Sequence, residues 1–436
     1  MPRNVTPSLP WAGVLIAALS IVASARGGEN WPSFQNGGAS RAELPSGLTQ
    51  GVKVGEVAWS RDLPGSGQSS PVTWEGSVYV TSASGPKLET LHVSAFRLTD
   101  GDPLWQFDAP NPSPVEDSGY VSRAAPTPAA DERGVVAFFE GGLVVALNHE
   151  GEVRWRKNLI EEFGAIESRH GLSASVEQSD DLAFIWVERG TDPYVLAIDK
   201  QSGETRWKQP GLGATSWASP RLVPCGDDQH LVLSGSGLLV GLDPQTGERL
   251  WTLEGLSGNT IPTPMPLGNG RMLVGATDGR GEGNSSKNAE TNGVVAIQKD
   301  SQGQWTANYV WRSQKAMSSF GSPIAHCGCV YIVNRSGVLT CLDQNDGTEY
   351  YTERLAGSIW ATPVGLGKSL FVCCKDGPSQ VLAGGREFRT IAELESTTPA
   401  GDSSPVVNYG VALSGDRLLI RTGGGLICRQ LAKTPD

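Results

Sequence analysis

Charge is scarce in this chain. Only 19% of its 436 residues are Asp, Glu, Lys or Arg, and 46 acids against 35 bases leave a net charge of −11. That balance excludes a basic nucleic-acid binder, whose affinity would come from neutralising phosphates. A hydrophobic fraction of 39% excludes a disordered chain. Long apolar runs are missing too: the stretch from Trp11 to Val22 is about a dozen residues, short of the ~20 a membrane-spanning helix needs. No transmembrane segment is expected. Five histidines argue against His-rich metal catalysis, and no nucleophile elbow, phosphate loop or pair of catalytic carboxylates is readable. The seven cysteines, at 225, 327, 329, 341, 373, 374 and 428, cannot all pair within one chain, and a chain this long does not need disulfides to hold its core. Most read as small buried hydrophobes.

The N-terminus carries Arg3, then the short apolar run, then Ala23 and Ala25 just before Arg26. This pattern predicts a secretory signal peptide over residues 1–25, cleaved after Ala25, and hence a periplasmic or extracellular protein. No cysteine lies at that junction to carry a lipid. Beyond it we expect an N-terminal extension over 26–55, a repeat domain over 56–431 and a tail over 432–436.

What the chain has in abundance is Gly (55) and Pro (28), about a fifth of the residues, together with 13 Trp. These fall in a repeat. Ala197–Asp199–Gly203–Trp207, Gly241–Asp243–Gly247–Trp251 and Cys341–Asp343–Gly347–Tyr351 share one spacing, Ala95–Arg97–Gly101–Trp105 departs only at the acid, and Gly151–Trp155 has a turn one residue shorter. The unit reads as a hairpin in which Asp and Gly make a tight reversal and the aromatic begins the returning strand. Upstream of each lies a Ser/Thr-Pro pair: Ser70–Pro71, Thr127–Pro128, Ser219–Pro220, Thr263–Pro264, Ser322–Pro323, Thr362–Pro363 and Ser404–Pro405, with Ser173–Ala174–Ser175 in register but without proline. The aromatic positions Trp59, Trp105, Trp155, Trp207, Trp251, Trp311, Tyr351 and Phe388 recur at intervals of 37 to 60 residues. Four short strands per period of that size predict an all-β fold, an eight-bladed β-propeller of four-stranded antiparallel blades. The last unit lacks its own fourth strand, so an N-terminal strand over Glu56–Leu63 is expected to close the ring.

The Ala-x-Asp-x3-Gly-x3-Trp hairpin with its Ser/Thr-Pro lead-in resembles the pyrroloquinoline quinone-like β-propeller repeat over nearly all of residues 56 to 431. Two groups share that repeat, quinoprotein dehydrogenases and non-enzymatic propellers similar to the lipoprotein of the outer-membrane β-barrel assembly machine. The opening Trp31–Pro32–Ser33–Phe34–Gln35–Asn36–Gly37–Gly38 resembles the start of secreted propellers of this superfamily. The resemblance to dehydrogenases implies pyrroloquinoline quinone with Ca2+, held by Glu, Asn and Asp beside a catalytic Asp. No such set can be matched here, and Asp199, Asp243 and Asp343 repeat as turn residues.

Long segments gather on one face: Ser84–Thr90, Ala109–Arg123, Asn158–Gly171, Gly279–Asn292 and Arg312–Phe320. Loops of variable length over a rigid scaffold mark a ligand or partner surface. Residues just before each innermost strand should ring the channel mouth on that face, which makes Arg123, Arg169, His170, Trp217, Phe320, Trp360 and Asp402 the candidate ligand-binding set. They could grip an anionic planar ligand, or simply plug and solvate the channel. Cys373–Cys374 is similar to the vicinal pair of some quinoprotein alcohol dehydrogenases but reads as buried free thiols. His326–Cys327–Gly328–Cys329 lacks a second ligand cluster, so no metal site is assigned. The expectation is a monomeric secreted scaffold with no catalytic residues, no cofactor and no nucleic-acid partner, binding a protein of the cell envelope through its long-loop face. The alternatives are a pyrroloquinoline quinone-dependent alcohol or sugar dehydrogenase, and a carbohydrate-binding propeller stacking sugars on Trp217 and Trp360.

Overall fold

A computed structural model of the chain describes residues 1, 30–48, 52–116, 122–168, 171–213, 216–277, 285–395 and 408–433. Apart from Met1, the expected signal peptide lies outside the described residues, as do Ser404–Pro405 and the segment 279–284. The repeat folds into eight antiparallel blades. Blades one to six span 72–110, 129–158, 177–210, 221–253, 265–312 and 324–354, each a four-stranded sheet in chain order. Blade seven spans 364–394. Blade eight contributes three strands from 408–433 and takes its outermost strand, Val52–Asp62, from the N-terminal side. The ring therefore closes as expected, with a strand that starts at Val52 rather than Glu56. Among the described residues the helices are short, Leu159–Phe163 and Ser285–Thr291, and none is long and apolar enough to cross a membrane.

The middle strands of a blade are covered on both faces by neighbouring blades, which explains their unbroken apolar runs. Leu143–Leu147 and Leu182–Val187 are buried at every position, whereas the outer strand Thr205–Pro210 alternates buried and exposed. The repeated hairpin behaves as its residues dictate. One carboxylate oxygen of Asp199 accepts the backbone N–H groups of Gln201 and Ser202, and Asp243 does the same for Gln245 and Thr246. These bonds, with Arg206 adding its charge, hold the Asp199 carboxyl down at about 2. The turn acids are structural.

Each repeat aromatic also reaches across to the following blade. The indole N–H of Trp105 donates to His149 O, that of Trp155 to Lys200 O, that of Trp207 to Pro244 O and that of Trp311 to Gln344 O, and each ring lies over the turn glycine of the receiving blade. Trp59 closes the circle by donating to Leu98 O in blade one. Two units depart. Trp251 donates instead to His230 Nδ1 within its own blade. Phe388 lies in the turn before the outer strand Thr390–Leu394 and receives Tyr351 edge-on, at 5.7 Å between ring centroids. It stands where the turn glycine does in other blades, so the aromatic assigned to blade seven is a receiver rather than a donor.

The Ser/Thr-Pro lead-ins form a second inter-blade lattice, around the channel. The N–H of Ser70 donates to Thr127 Oγ1, Thr127 to Ser175 Oγ, Ser175 to Ser219 Oγ, Ser219 to Thr263 Oγ1, Thr263 to Ser322 Oγ and Ser322 to Thr362 Oγ1, at 2.9 to 3.1 Å. A hydroxyl is required at each position because the next blade's N–H would otherwise be buried without an acceptor. Proline after it keeps the hydroxyl-bearing residue extended.

Candidate functional site at the channel mouth

The channel is occupied by the chain's own N-terminal segment. Trp31 pairs antiparallel with Thr73 on the inner strand of blade one, and Arg41–Ala42 pairs parallel with Gly365–Leu366 on the inner strand of blade seven. Residues 31–42 thus enter from the face of the short turns, reverse near the loop face and return. Along the way Pro32 O accepts from Ala130, Phe34 O accepts from Arg221, and Ser40 Oγ donates to Pro363 O. Gln35 stands at the bend, its amide donating to Ser322 Oγ and Thr362 Oγ1 and so tying the segment to the hydroxyl ring. Trp31 is fully buried. Deeper in, Arg221 meets Glu177 at 2.9 Å with both side chains buried, and burial pushes the Glu177 carboxyl up while Arg221 opposes it. The two aromatics of an otherwise small and polar segment, Trp31 and Phe34, were the available sign that it is packed.

Above this segment, on the loop face, sits a cluster of three rings. Phe320 and Trp360 stack with centroids 4.9 Å apart, Tyr409 meets Trp360 edge-on at 6.0 Å, and the Lys375 ammonium lies 4.4 Å from the Trp360 centroid. Phe320 is 40% exposed, one of few large apolar side chains open to solvent. The space left between these rings and Trp31, Phe34 and Gln35 is about 90 Å³. Of the sequence-derived set, the structure brings together Phe320 and Trp360. Tyr409 and Lys375 were missed: each belongs to a different strand of the last two blades, and no spacing in the chain relates them. Trp217 is half-buried in another sector, donating its indole N–H to Gly171 O. Trp217 and Trp360 precede blades four and seven, and Trp217 does not line the space beside Trp360. Arg169, His170 and Asp402 lie outside the described residues.

Arg123 lies in the connection into blade two, with a left-handed backbone (φ 57°) and a half-buried side chain whose Nε has no hydrogen-bond partner. Its neighbour is Glu140, at the end of the second strand of that blade. Glu140 is fully buried, and burial raises its carboxyl to about 7 against the opposing pull of Arg123 and of its hydrogen bonds. Both its oxygens are engaged, Oε1 by the N–H of Ala125 and Oε2 by that of Leu172. Glu188 stands at the same place in blade three and accepts from Leu212 N, Gly213 N and the Trp186 indole. The two carboxylates brace the connections to the next blade. Both oxygens of each carboxylate accept from backbone N–H groups of the adjacent connections, which suits a structural role.

Among the described residues, the space at this mouth does not fit a quinone with calcium. Small-molecule sites measure about 300–1,000 Å³, several times the space left beside Gln35. Among the described residues no three His, Cys, Asp or Glu side chains converge to hold a metal ion. Cys373 follows the strand Ser369–Val372, Cys374 begins the separate strand Cys374–Asp376, and both are buried and unbridged. Burial lifts the Cys373 thiol to about 12. His326, Cys327, Gly328 and Cys329 form the turn between two strands of blade six, with Cys327 at φ 51°.

Residues 51–178, 191–332 and 290–433 match the family described as outer membrane protein assembly factor BamB. The BamB of Yersinia pestis is 23% identical over 228 residues, 52% of this chain and 52% of that protein. The BamB of Moranella endobia (strain PCIT) is 24% identical over 256 residues, 57% of this chain and 60% of that one. The chain thus spans about half to three fifths of the length of these curated relatives. Among solved structures, BamB from Moraxella catarrhalis superposes with a TM-score of 0.58 at 16% identity, covering 87% of this chain and 98% of the other. A europium-containing methanol dehydrogenase superposes with 0.60 at 14% identity, covering 91% of each. Both likenesses are of the fold alone. The family match takes in most of the blades, including the ring-closing strand and the three strands of blade eight. This chain belongs to the family of outer membrane protein assembly factor BamB.

Proposed function

We propose that the protein is an exported, non-catalytic scaffold of the cell envelope that binds a protein component of outer-membrane assembly through the aromatic rim of its loop face. One observation carries this reading: Phe320 is presented to solvent, packed with Trp360 and Tyr409 in one aromatic cluster, above a channel already filled by Trp31, Phe34 and Gln35. Aromatic anchors on a preorganised rim are what protein interfaces use as energetic centres. The family context supports the partner class, since the relatives are described as assembly factors. The apolar run and small residues before Arg26 support export, and a lipid-free, monomeric form belongs to the same proposal.

The test is affinity for the purified outer-membrane assembly complex of the source cell, measured by interferometry. Phe320→Ala and Trp360→Ala are expected to weaken binding at least tenfold each, in the range of interface hot spots. Full affinity in both variants would place the interface elsewhere. In parallel, calorimetric titration with pyrroloquinoline quinone and Ca2+ is expected to give no saturable heat; saturable binding with dye reduction by alcohols or sugars would establish the dehydrogenase reading instead.

A further inference from the structure

A second recess lies on the opposite face, away from the rim. It measures about 500 Å³, within the range of ligand sites, and opens among the short turns of blades one to four. Trp74, half-buried at the end of the inner strand of blade one, forms one wall, and Pro32 and Leu222 give further apolar surface. From blade four come Gln229 and Gln245, both exposed, whose side-chain amides make no hydrogen bond among the described residues. Gln178, by contrast, is already fixed by Ala130 O.

The acids of this recess are partly neutralised from within. Asp131 pairs with the buried Lys200 ammonium, and Arg133 pairs with Asp131, Glu132 and Asp181 together. Among the described residues, Asp180 alone of these acids has no cation against its side chain. Four carboxylates thus face two cations, Lys200 and Arg133, so the lining is polar with a residual negative charge, an indole wall, two idle amides that can each donate and accept, and a carboxylate outside any ion pair. That combination suits a neutral polyhydroxylated ligand: the carbon-hydrogen face of a sugar ring packs on the indole, while amides and carboxylate meet adjacent hydroxyls.

We infer that the turn-face recess bounded by Trp74, Gln178, Asp180, Gln229 and Gln245 is a saccharide-binding site for a neutral or amino-sugar oligosaccharide. The site is separate from the aromatic rim and does not depend on the assembly role.

The test uses the purified mature chain on a printed array of neutral, amino-sugar and uronic-acid oligosaccharides that also carries lysine-rich peptides, with titration calorimetry on each oligosaccharide retained. Binding to neutral or amino-sugar glycans is expected. It should weaken at least tenfold in the double variant Gln229→Ala/Gln245→Ala, whose residues are exposed and whose fold is checked by an unchanged melting temperature. Trp74→Ala should weaken it further, and Phe320→Ala should leave it unchanged. No glycan retained above the level of the double variant would overturn the inference, as would retention of lysine-rich peptides alone, or glycan binding lost on Phe320→Ala rather than on the glutamine pair.

Discussion

At Gly203 two demands coincide. Its φ is 77°, and a Cβ there would stand 2.7 Å from the indole of Trp155. Gly303, in the longer hairpin turn of blade five, has φ 79° and nothing within 4 Å, and Trp251 of the preceding blade bonds His230. The pair separates backbone strain from tryptophan docking. Gly303→Ala is expected to cost about 1–2 kcal/mol, the left-handed penalty of an L-residue. Gly203→Ala is expected to cost about 1–3 kcal/mol more, the further amount being the overpacking against Trp155. Guanidinium unfolding of both variants measures the difference, and equal costs would mean the docking contributes nothing. Trp155→Ala should itself cost about 3–5 kcal/mol. The repeat spacing made these residues legible as a hairpin, with its acid, glycine and aromatic in place. It did not reveal that the aromatic of one blade serves the glycine of the next, because spacing along one chain carries no information about the neighbour across a seam.

Among elements, what matters is how adjacent blades and their connections are pinned. The Ser/Thr-Pro lead-ins could be aligned from sequence, yet their role as a hydrogen-bonded ring follows only from the closed geometry that places each N–H beside the next hydroxyl. Ser219→Ala removes the acceptor of the buried Ser175 N–H and is expected to cost about 1–3 kcal/mol; equilibrium denaturation would show it, and a neutral result would make the ring ornamental. Glu140 gives a pH signature. Its folded carboxyl titrates near 7, against an ordinary value of 4.5, so the native protein holds a proton that the unfolded chain releases between those values. Stability therefore falls as pH rises through the window from 4.5 to 7, by on the order of 3 kcal/mol, and levels above it. In Glu140→Gln the decline should be smaller by that amount. A melting profile in which wild type and variant run parallel from pH 4.5 to 7 would show that Glu140 does not titrate there. Neither Glu140 nor Glu188 was legible beforehand, since a glutamate at a strand end reads as a solvated surface group until the loops fold over it.

For the molecule as a whole, the residues expected to lie before the propeller run through its centre. The segment 31–42 bonds to blades one, two, four, six and seven, and it converts an open channel into a filled one with a shallow aromatic rim. A chain beginning at residue 43 keeps the closing strand Val52–Asp62 and should still form the ring, but with a melting temperature lower by several degrees; an unchanged melting temperature would mean the segment is only loosely seated. The class of fold, the blade count and the strand exchange at closure were all readable, because eight copies of one pattern average out local ambiguity. The surface proposed to bind a partner was legible only in part. Phe320 and Trp360 could be placed at the mouth from their position before an inner strand, whereas Tyr409, Lys375 and the turn-face recess arise from side chains of several blades converging. The most direct test of the account is photo-crosslinking in the source cell, with p-benzoylphenylalanine placed at Phe320 and, as a control, at the exposed outer-strand residue Val153. The account predicts adducts from position 320 to a protein of the outer-membrane assembly machinery and none from position 153. Adducts from Val153 alone, or from neither position, would contradict it.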